Sequence, residues 1–573
     1  MGTRSASPGR VGTGSPAGLR SMAATRSRSC STTERPGSRA AIERAEDMTP
    51  SSNTCSNESS GEAAPEAGRG YLCWHGTIRR RGPVVSKLSM LVGSICLALT
   101  ASLGAVAPGV AASSASQGVG AVQADRAEQA KPQKSRRWRA PSGPFFNDPH
   151  LAEGHFRIER KVIDTINRTP KGSTIRIAIY SLDRVPVAQA LAAAHRRGVQ
   201  VQMLLNDHWE TAAMKVLRAE IGKDRSRNSF IYKCRKSCRG AASDFNNLHS
   251  KFYLFSQAGR SEDVIAVGSA NMTRNAAVHQ WNDLYFTEGD HELFRQFVGL
   301  FKDMSKDHDT RQEPLAFCGT PLLGVCDDSV DKHTVVAFPR ASGPRNDLVL
   351  TLLDRVQCRN VDPVTGAVTR TRLALSMHTM RGERGDYLAA AIRRKYVQGC
   401  DVRVSYGLIG YHTKGVLGAP TARGRIPLRS TGLDFDTEDN FDLNNDGIDD
   451  LILDYYSHQK YLVVQGTYNG VPNTSMVLTG SVNWSSLSSA NDEVWFTVRG
   501  AVVAKKYLGN FDYQWNNTRN SRNAYTTSYA NFRVRRTVVD ADGTKRRVWV
   551  TERRPVTTIE RDPYRKGPYW EDD

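Results

Sequence analysis

The tripeptides His249-Ser250-Lys251 and His458-Gln459-Lys460 are the residues whose types and spacing point most directly to chemistry. Each sits in a stretch that reads as a strand, NNLHSKFYLF and YYSHQKYLVV. Residues two apart on a strand share a face, so each tripeptide sets an imidazole beside an ammonium. Each is followed by a small-residue turn ending in a carboxamide, Gly268-Ser269-Ala270-Asn271 and Gly480-Ser481-Val482-Asn483. From His to Asn the first set spans 22 positions and the second 25. One His-x-Lys beside a strand is usually a surface accident; two sets in the same order carry weight. Acidic residues follow both, in Asn282-Asp283 and Asn491-Asp492-Glu493.

Two imidazoles, two ammoniums and two carboxamides meeting across a pseudo-twofold suit one substrate, a phosphodiester. The lysines and asparagines would neutralise the non-bridging oxygens as charge grows in the transition state. One histidine attacks phosphorus; the other protonates the leaving oxygen and then deprotonates water. Carboxylates on the far ring nitrogens would fix the tautomers. The ammoniums supply the positive charge, so no cofactor is expected for catalysis.

The elements that must hold these groups repeat. Ile158 to Ile166 has helical spacing, Thr174 to Tyr180 alternates as a strand, Val187 to Arg197 is a helix stopped by Gly198, and Val199 to Leu205 is a strand. The plan returns with a strand at Val335 to Phe338, a helix at Asp347 to Gln357 and a strand at Thr371 to Met377. A helix at Tyr387 to Gln398 and a strand at Asp401 to Tyr406 complete it. Helices at His291 to Met304 and Val503 to Asn516 close the halves. The expectation is an α/β fold of two duplicated domains, each a mixed sheet flanked by helices, packed around a shared pseudo-twofold site.

The chain resembles the phospholipase D superfamily, whose signature is H-x-K-x4-D-x6-G-S-x-N in two copies, over roughly residues 145–518. The resemblance implies a covalent phosphohistidine, followed by hydrolysis or transfer to an alcohol. Carried over by position, the catalytic residues are His249, Lys251, Asn271, His458, Lys460 and Asn483, with Ser269 and Ser481 in support. His249 would be the nucleophile and His458 the acid and base. The signature's Asp is missing from both copies, where Ser256 and Gln465 stand. The second copy, GSVNWSSLSSANDEVWF, is closer to the branch with small nucleases and cardiolipin-hydrolase-like proteins. There Glu493 would orient a histidine, with Asp283 its weaker counterpart.

Length and charge bound the rest. The chain has 573 residues and net charge +20, from 78 basic and 58 acidic residues. No heptad or Gly repeat runs through it, which excludes rods and collagen. A basic body favours anionic partners. Residues 1–87 read as a disordered leader or an upstream artefact, and 88–112 as the apolar and cleavage regions of a signal peptide rather than a membrane anchor. A linker follows over 113–143, then domains over 144–325 and 326–518, and a basic tail with a β-hairpin over 519–573. Export makes disulfides the better reading of the six later cysteines than zinc, paired by proximity as Cys234–Cys238, Cys318–Cys326 and Cys358–Cys400.

Two further features are weighed against blander roles. Asp442, Asn444, Asp446 and Asp450, with Gly447 between, resemble a calcium loop; the alternative is an acidic surface loop. An ion there would be structural. Trp281, Trp484 and Trp495 could line a groove, though core packing is the simpler role. The expected protein is a secreted monomer that cleaves or transfers the headgroup of an anionic or zwitterionic phospholipid at a membrane surface. The alternative substrate is DNA or RNA, cut by the same residues.

Overall fold

The structure, a computed structural model, describes residues 138–207, 210–240, 246–432 and 455–559, all within one compact unit, Ala121–Asp573. The leader, the signal region, most of the linker and the loop with Asp442, Asn444, Asp446 and Asp450 lie outside the described residues.

Alternating apolar runs build two sheets with the same internal order. In the first, Thr174–Ile179 pairs antiparallel with Lys251–Ala258 and parallel with Gln200–Leu205, which pairs parallel with Phe230–Lys233. Beyond Lys251–Ala258 come Ser261–Gly268, Asp283–Thr287 and Gly143–Phe146, all antiparallel. In the second, Arg372–Arg381 pairs antiparallel with Lys460–Tyr468 and parallel with Asp401–Ile409, which pairs parallel with Leu428–Ser430. Val471–Gly480, Val494–Arg499 and His333–Ala337 then follow antiparallel. Seven strands thus correspond one to one, and the halves are duplicates in topology.

The boundary between the halves lies earlier than residue 326. Leu315–Cys318 pairs with His333–Ala337 and so already belongs to the second sheet, with Phe317 buried beneath it. Helices such as Val185–Arg196 and Gly382–Val397 connect the parallel strands. His291–Met304, capped by Asp290 accepting from Leu293 N at 3.1 Å, and Ala501–Asn516 close the halves. One apolar cluster takes Phe252, Leu254 and Val267 from the first sheet with Val494, Phe496 and Val498 from the second. Burial of that shared core is what fixes the two sites against each other.

Among the described residues the disulfides are Cys234–Cys238, Cys318–Cys326 and Cys358–Cys400. Among the described residues no helix is long and apolar enough to cross a membrane, and no cluster of His, Cys, Asp and Glu could hold a metal ion. Past the second half, Tyr525–Val539 and Lys545–Ile559 form a separate two-stranded ribbon. It is longer than a hairpin confined to the neighbourhood of Asp540, because Thr, Val and Tyr keep the strands extended.

Candidate active site

Lys251 and Lys460 open their strands, and His249 and His458 sit just ahead of them rather than on them. The reason is a cross-half backbone exchange. His249 N donates to Asp492 O and His458 N to Trp281 O, each at 3.0 Å. Leu248 bridges Asp492, and Tyr456–Ser457 pairs parallel with Gln280–Trp281. Each histidine is therefore seated on the opposite half. Lys251 Nζ donates to His249 O at 2.8 Å and Lys460 Nζ to His458 O at 3.0 Å, which folds each ammonium back beside its imidazole.

The Gly-Ser turns show why those residue types are needed. A Cβ on Gly268 would stand 2.2 Å from Asp283 O, and one on Gly480 2.1 Å from Val494 O. No side chain fits that approach. Ser269 N and Ser481 N donate to those same carbonyls at 3.0 Å. In return Ser269 Oγ accepts from Asp283 N and Ser481 Oγ from Val494 N, again at 3.0 Å. Asn271 and Asn483 follow, both buried.

These bonds fix the equivalence of the halves. Asp283 matches Val494, so the counterpart of Glu493 is Asn282. Glu493 reaches across to His249, both carboxylate oxygens 2.9 Å from Nδ1. Asn282 reaches across to His458, with Oδ1 2.9 Å from Nδ1. Asp283 is thus not the residue that orients a histidine. It points to the other face of its strand, where Ser269, Thr479 and Tyr507 donate to it at 3.0, 2.5 and 2.9 Å. The first loop is one residue longer, 14 positions from Gly268 to Asn282 against 13 from Gly480 to Glu493. That offset hides the true pair from a strand-by-strand alignment.

The Asn282 amide has one workable orientation. Its Nδ2 donates to Ala276 O at 3.0 Å and to Gln280 Oε1 at 3.2 Å, so Oδ1 is the acceptor that faces the ring. His458 therefore carries its proton on Nδ1 and turns Nε2 to the site. Glu493, an acceptor, sets the same tautomer on His249. His249 Nε2 is buried and makes no hydrogen bond among the described residues.

Burial holds the His249 imidazolium below its ordinary range, opposed by Glu493 and reinforced by Lys251 and Lys460. His458 is pushed further down. Burial is again first, and Lys460, His378, Lys251 and His249 all add to it.

Three residues here carry no signature in the sequence. Asn282 is one. Tyr180 and His378 occupy equivalent places, one residue past the rungs Ile179–Lys251 and Met377–Lys460. Tyr180 packs edge-on to His249 with ring centres 5.5 Å apart, and His378 lies 4.6 Å from His458. The His378 Nδ1 bond to Ser457 O, at 3.0 Å, steadies the backbone entering His458. Only the strand register could have found them.

Asp492 ties the site to a disulfide. Its carboxylate accepts from Ser237 Oγ and Cys238 N in the loop closed by Cys234–Cys238, and from Arg239 N just after it. Burial pushes its carboxyl up to about 7 despite those donors. Trp484 and Trp495 are core residues, and buried Trp281 packs 4.9 Å from the His150 ring.

Residues 162–305 match the family described as cardiolipin synthase, PLD-like domain. Among solved structures, the chain resembles a polyphosphate kinase from Porphyromonas gingivalis at 12% identity, over 65% of this chain and 50% of that one, TM-score 0.39. It thus spans half the length of that kinase. It also resembles Nuc, a phospholipase D family member from Salmonella typhimurium, at 18% identity over 30% and 98%, TM-score 0.22. A phosphatidylserine synthase from Haemophilus influenzae is similar at 11% identity over 66% and 87%, TM-score 0.39. No curated protein sequence matches the chain.

Proposed function

We propose, from the match of residues 162–305 to a PLD-like domain family, that the chain is a phosphodiesterase working through a phosphohistidine on His249. The bond from His249 Nδ1 to Glu493 carries the reading, because it leaves Nε2 as the ring's nucleophilic atom. His249 Nε2 attacks phosphorus, an N–P bond forms and the P–O bond to the leaving group breaks. His458, entering this step as the imidazolium, gives its Nε2 proton to the departing oxygen and keeps its Nδ1 proton directed at Asn282 Oδ1. A water or alcohol then loses a proton to His458 and attacks phosphorus, and the N–P bond breaks. Lys251, Lys460, Asn271 and Asn483 hold the non-bridging oxygens throughout.

The substrate we favour is a phospholipid, cleaved between phosphate and headgroup. Both histidines are at most 1% exposed, which suits a diester entering at the end of a headgroup better than one inside a continuous polymer. Three disulfides support export as the setting. Both halves come from one chain, so the site needs no second copy. A second reading, cleavage of nucleic acid by the same residues, is favoured by the basic ribbon at the C-terminal side.

The deciding experiment offers phosphatidylcholine vesicles and plasmid DNA in parallel, with and without EDTA, to the chain and its His458→Ala variant. Choline release lost in the variant supports the lipid reading. DNA nicking without choline release moves the assignment to the nuclease reading. Neither activity, with a small chromogenic diester also untouched, overturns the phosphodiesterase reading itself.

A further inference from the structure

We propose that the ribbon formed by Tyr525–Val539 and Lys545–Ile559 is a binding arm for single-stranded nucleic acid. The strand lies along the face that carries Arg533, Arg535, Lys545, Arg547 and Arg553. The inference concerns binding and holds whichever diester the histidines cleave.

The register sorts the ribbon into two unlike faces. Paired residues share a face, so Val539–Lys545, Thr537–Arg547, Arg535–Trp549, Arg533–Thr551 and Asn531–Arg553 are five successive rows of one face. Every row holds one cation. Rows on one face recur at about 6.8 Å, twice the rise per residue, so the cations form a line matched to a linear polyanion. That face has no carboxylate. Glu552 lies on the opposite face, ion-paired with Arg536 and Arg554, and Asp540 pairs with Arg546. The fold thus neutralises the arginines of one face and leaves those of the other to a partner.

Aromatic rings share the cationic face. Trp549 and Tyr529 are 55% and 62% exposed. Arg535 and Arg533 lie over Trp549, at 5.0 and 5.6 Å from the ring centre, and Arg553 lies over Tyr529 at 5.0 Å. Exposed rings between regularly spaced cations provide stacking for bases and pairing for phosphates together. The arm is tied at its base, where Arg425 donates to Thr557 O at 3.2 Å and Tyr525 Oη to Ile426 O at 2.8 Å.

A bilayer fits this face less well. Two-stranded ribbons twist strongly, so five rows wind about the axis and cannot all meet a plane; a single strand can follow them. Apart from Val539 at the tip, the ribbon's valines and Phe532 lie on the opposite face, where the Arg536, Glu552 and Arg554 cluster would have to be desolvated for them to enter lipid.

The test uses the full chain with His249→Ala, so that the probe survives, and reads fluorescence anisotropy of a labelled oligodeoxythymidine across a salt series. Replacing Arg533, Arg535 and Arg553 together by Gln should weaken binding at least tenfold at low salt. It should also reduce the slope of log affinity on log salt by about 2, at roughly 0.7 per phosphate contact. Trp549→Ala should cost about 5- to 100-fold with the slope unchanged. Arg546→Gln, on the paired face, should stay within twofold. Parent-like binding by the triple variant or by Trp549→Ala overturns the proposal. So does equal competition by linear polyphosphate, which has no bases, or ribbon-dependent binding to phosphatidylglycerol vesicles without oligonucleotide binding. Should the triple variant misfold, Trp549→Ala and Arg546→Gln alone still decide.

Discussion

In the first half His249 faces a carboxylate, and in the second His458 faces a carboxamide, although one backbone frame seats both rings. The main-chain bonds match to within the distances given, from the His N–H bond across the halves to the Ser hydroxyl at each turn. What differs is the side chain at the far nitrogen and the ring packed beside each imidazole. On the proposed reading Glu493 would stabilise positive charge on His249 as phosphorus bonds to it. Asn282 would orient His458 without holding charge there, so that His458 gives up a proton readily. The duplicated scaffold would then be split into a nucleophile and an acid–base group by two side-chain choices.

The largest effects should come from testing that split directly. With a diester whose leaving group needs no proton, His458→Ala should still form a phosphoprotein, while His249→Ala should form none. Acid-labile label recovered from His249→Ala would reverse the roles. Glu493→Gln comes next. It removes the charge but keeps an acceptor, making the first half resemble the second, and should lower kcat on the order of 10²- to 10⁴-fold. A loss below tenfold would mean that the carboxylate serves only to hold the ring.

The pH profile sharpens the same comparison. On the proposed reading His249 must be neutral to attack and His458 protonated to act as acid. The His458 pKa is the lower of the two, so activity rises with pH up to the His458 pKa, holds between the two, and falls above the His249 pKa. The optimum should lie on the acid side of an ordinary imidazole. Asn282→Asp gives His458 the carboxylate that His249 has. A nearby negative charge favours the imidazolium, so the acid limb should move up by about one pH unit or more and the plateau should rise, with the alkaline limb nearly fixed. A moved acid limb without a higher plateau would assign the acid role to His249.

Much of this was legible in the sequence, and the remainder failed for identifiable reasons. The paired His-x-Lys and Gly-Ser-x-Asn sets are local patterns, and the glycines report a close approach that no side chain allows. The disulfide pairs follow from proximity along the chain. The sequence offers Asp283 as the weaker counterpart of Glu493 where the structure has Asn282, because apolar strand residues align readily while a one-residue difference in the preceding loop does not show. Tyr180 and His378 stayed hidden because a residue one past a strand rung becomes a neighbour of the histidine only once two strands are in register. Glu493 was read as orienting a histidine, but which one depends on the exchange between halves, a tertiary fact.

His378→Tyr, which copies the first half's Tyr180 into the second, should give the smallest of these effects. Two consequences oppose each other. His378 helps to lower the His458 pKa, so removing it should raise that pKa and move the acid limb up by less than Asn282→Asp does. It also removes the Nδ1 bond to Ser457 O, loosening the backbone that enters His458, which should cost kcat a few-fold near the optimum. The two are separable because the first shifts the profile and the second lowers it at every pH. His378→Asn, which can still donate to that carbonyl but carries no charge, should keep the shift and recover most of the rate. A shift absent from both variants would leave His378 a packing residue, and the carboxylate and carboxamide as the whole difference between the halves.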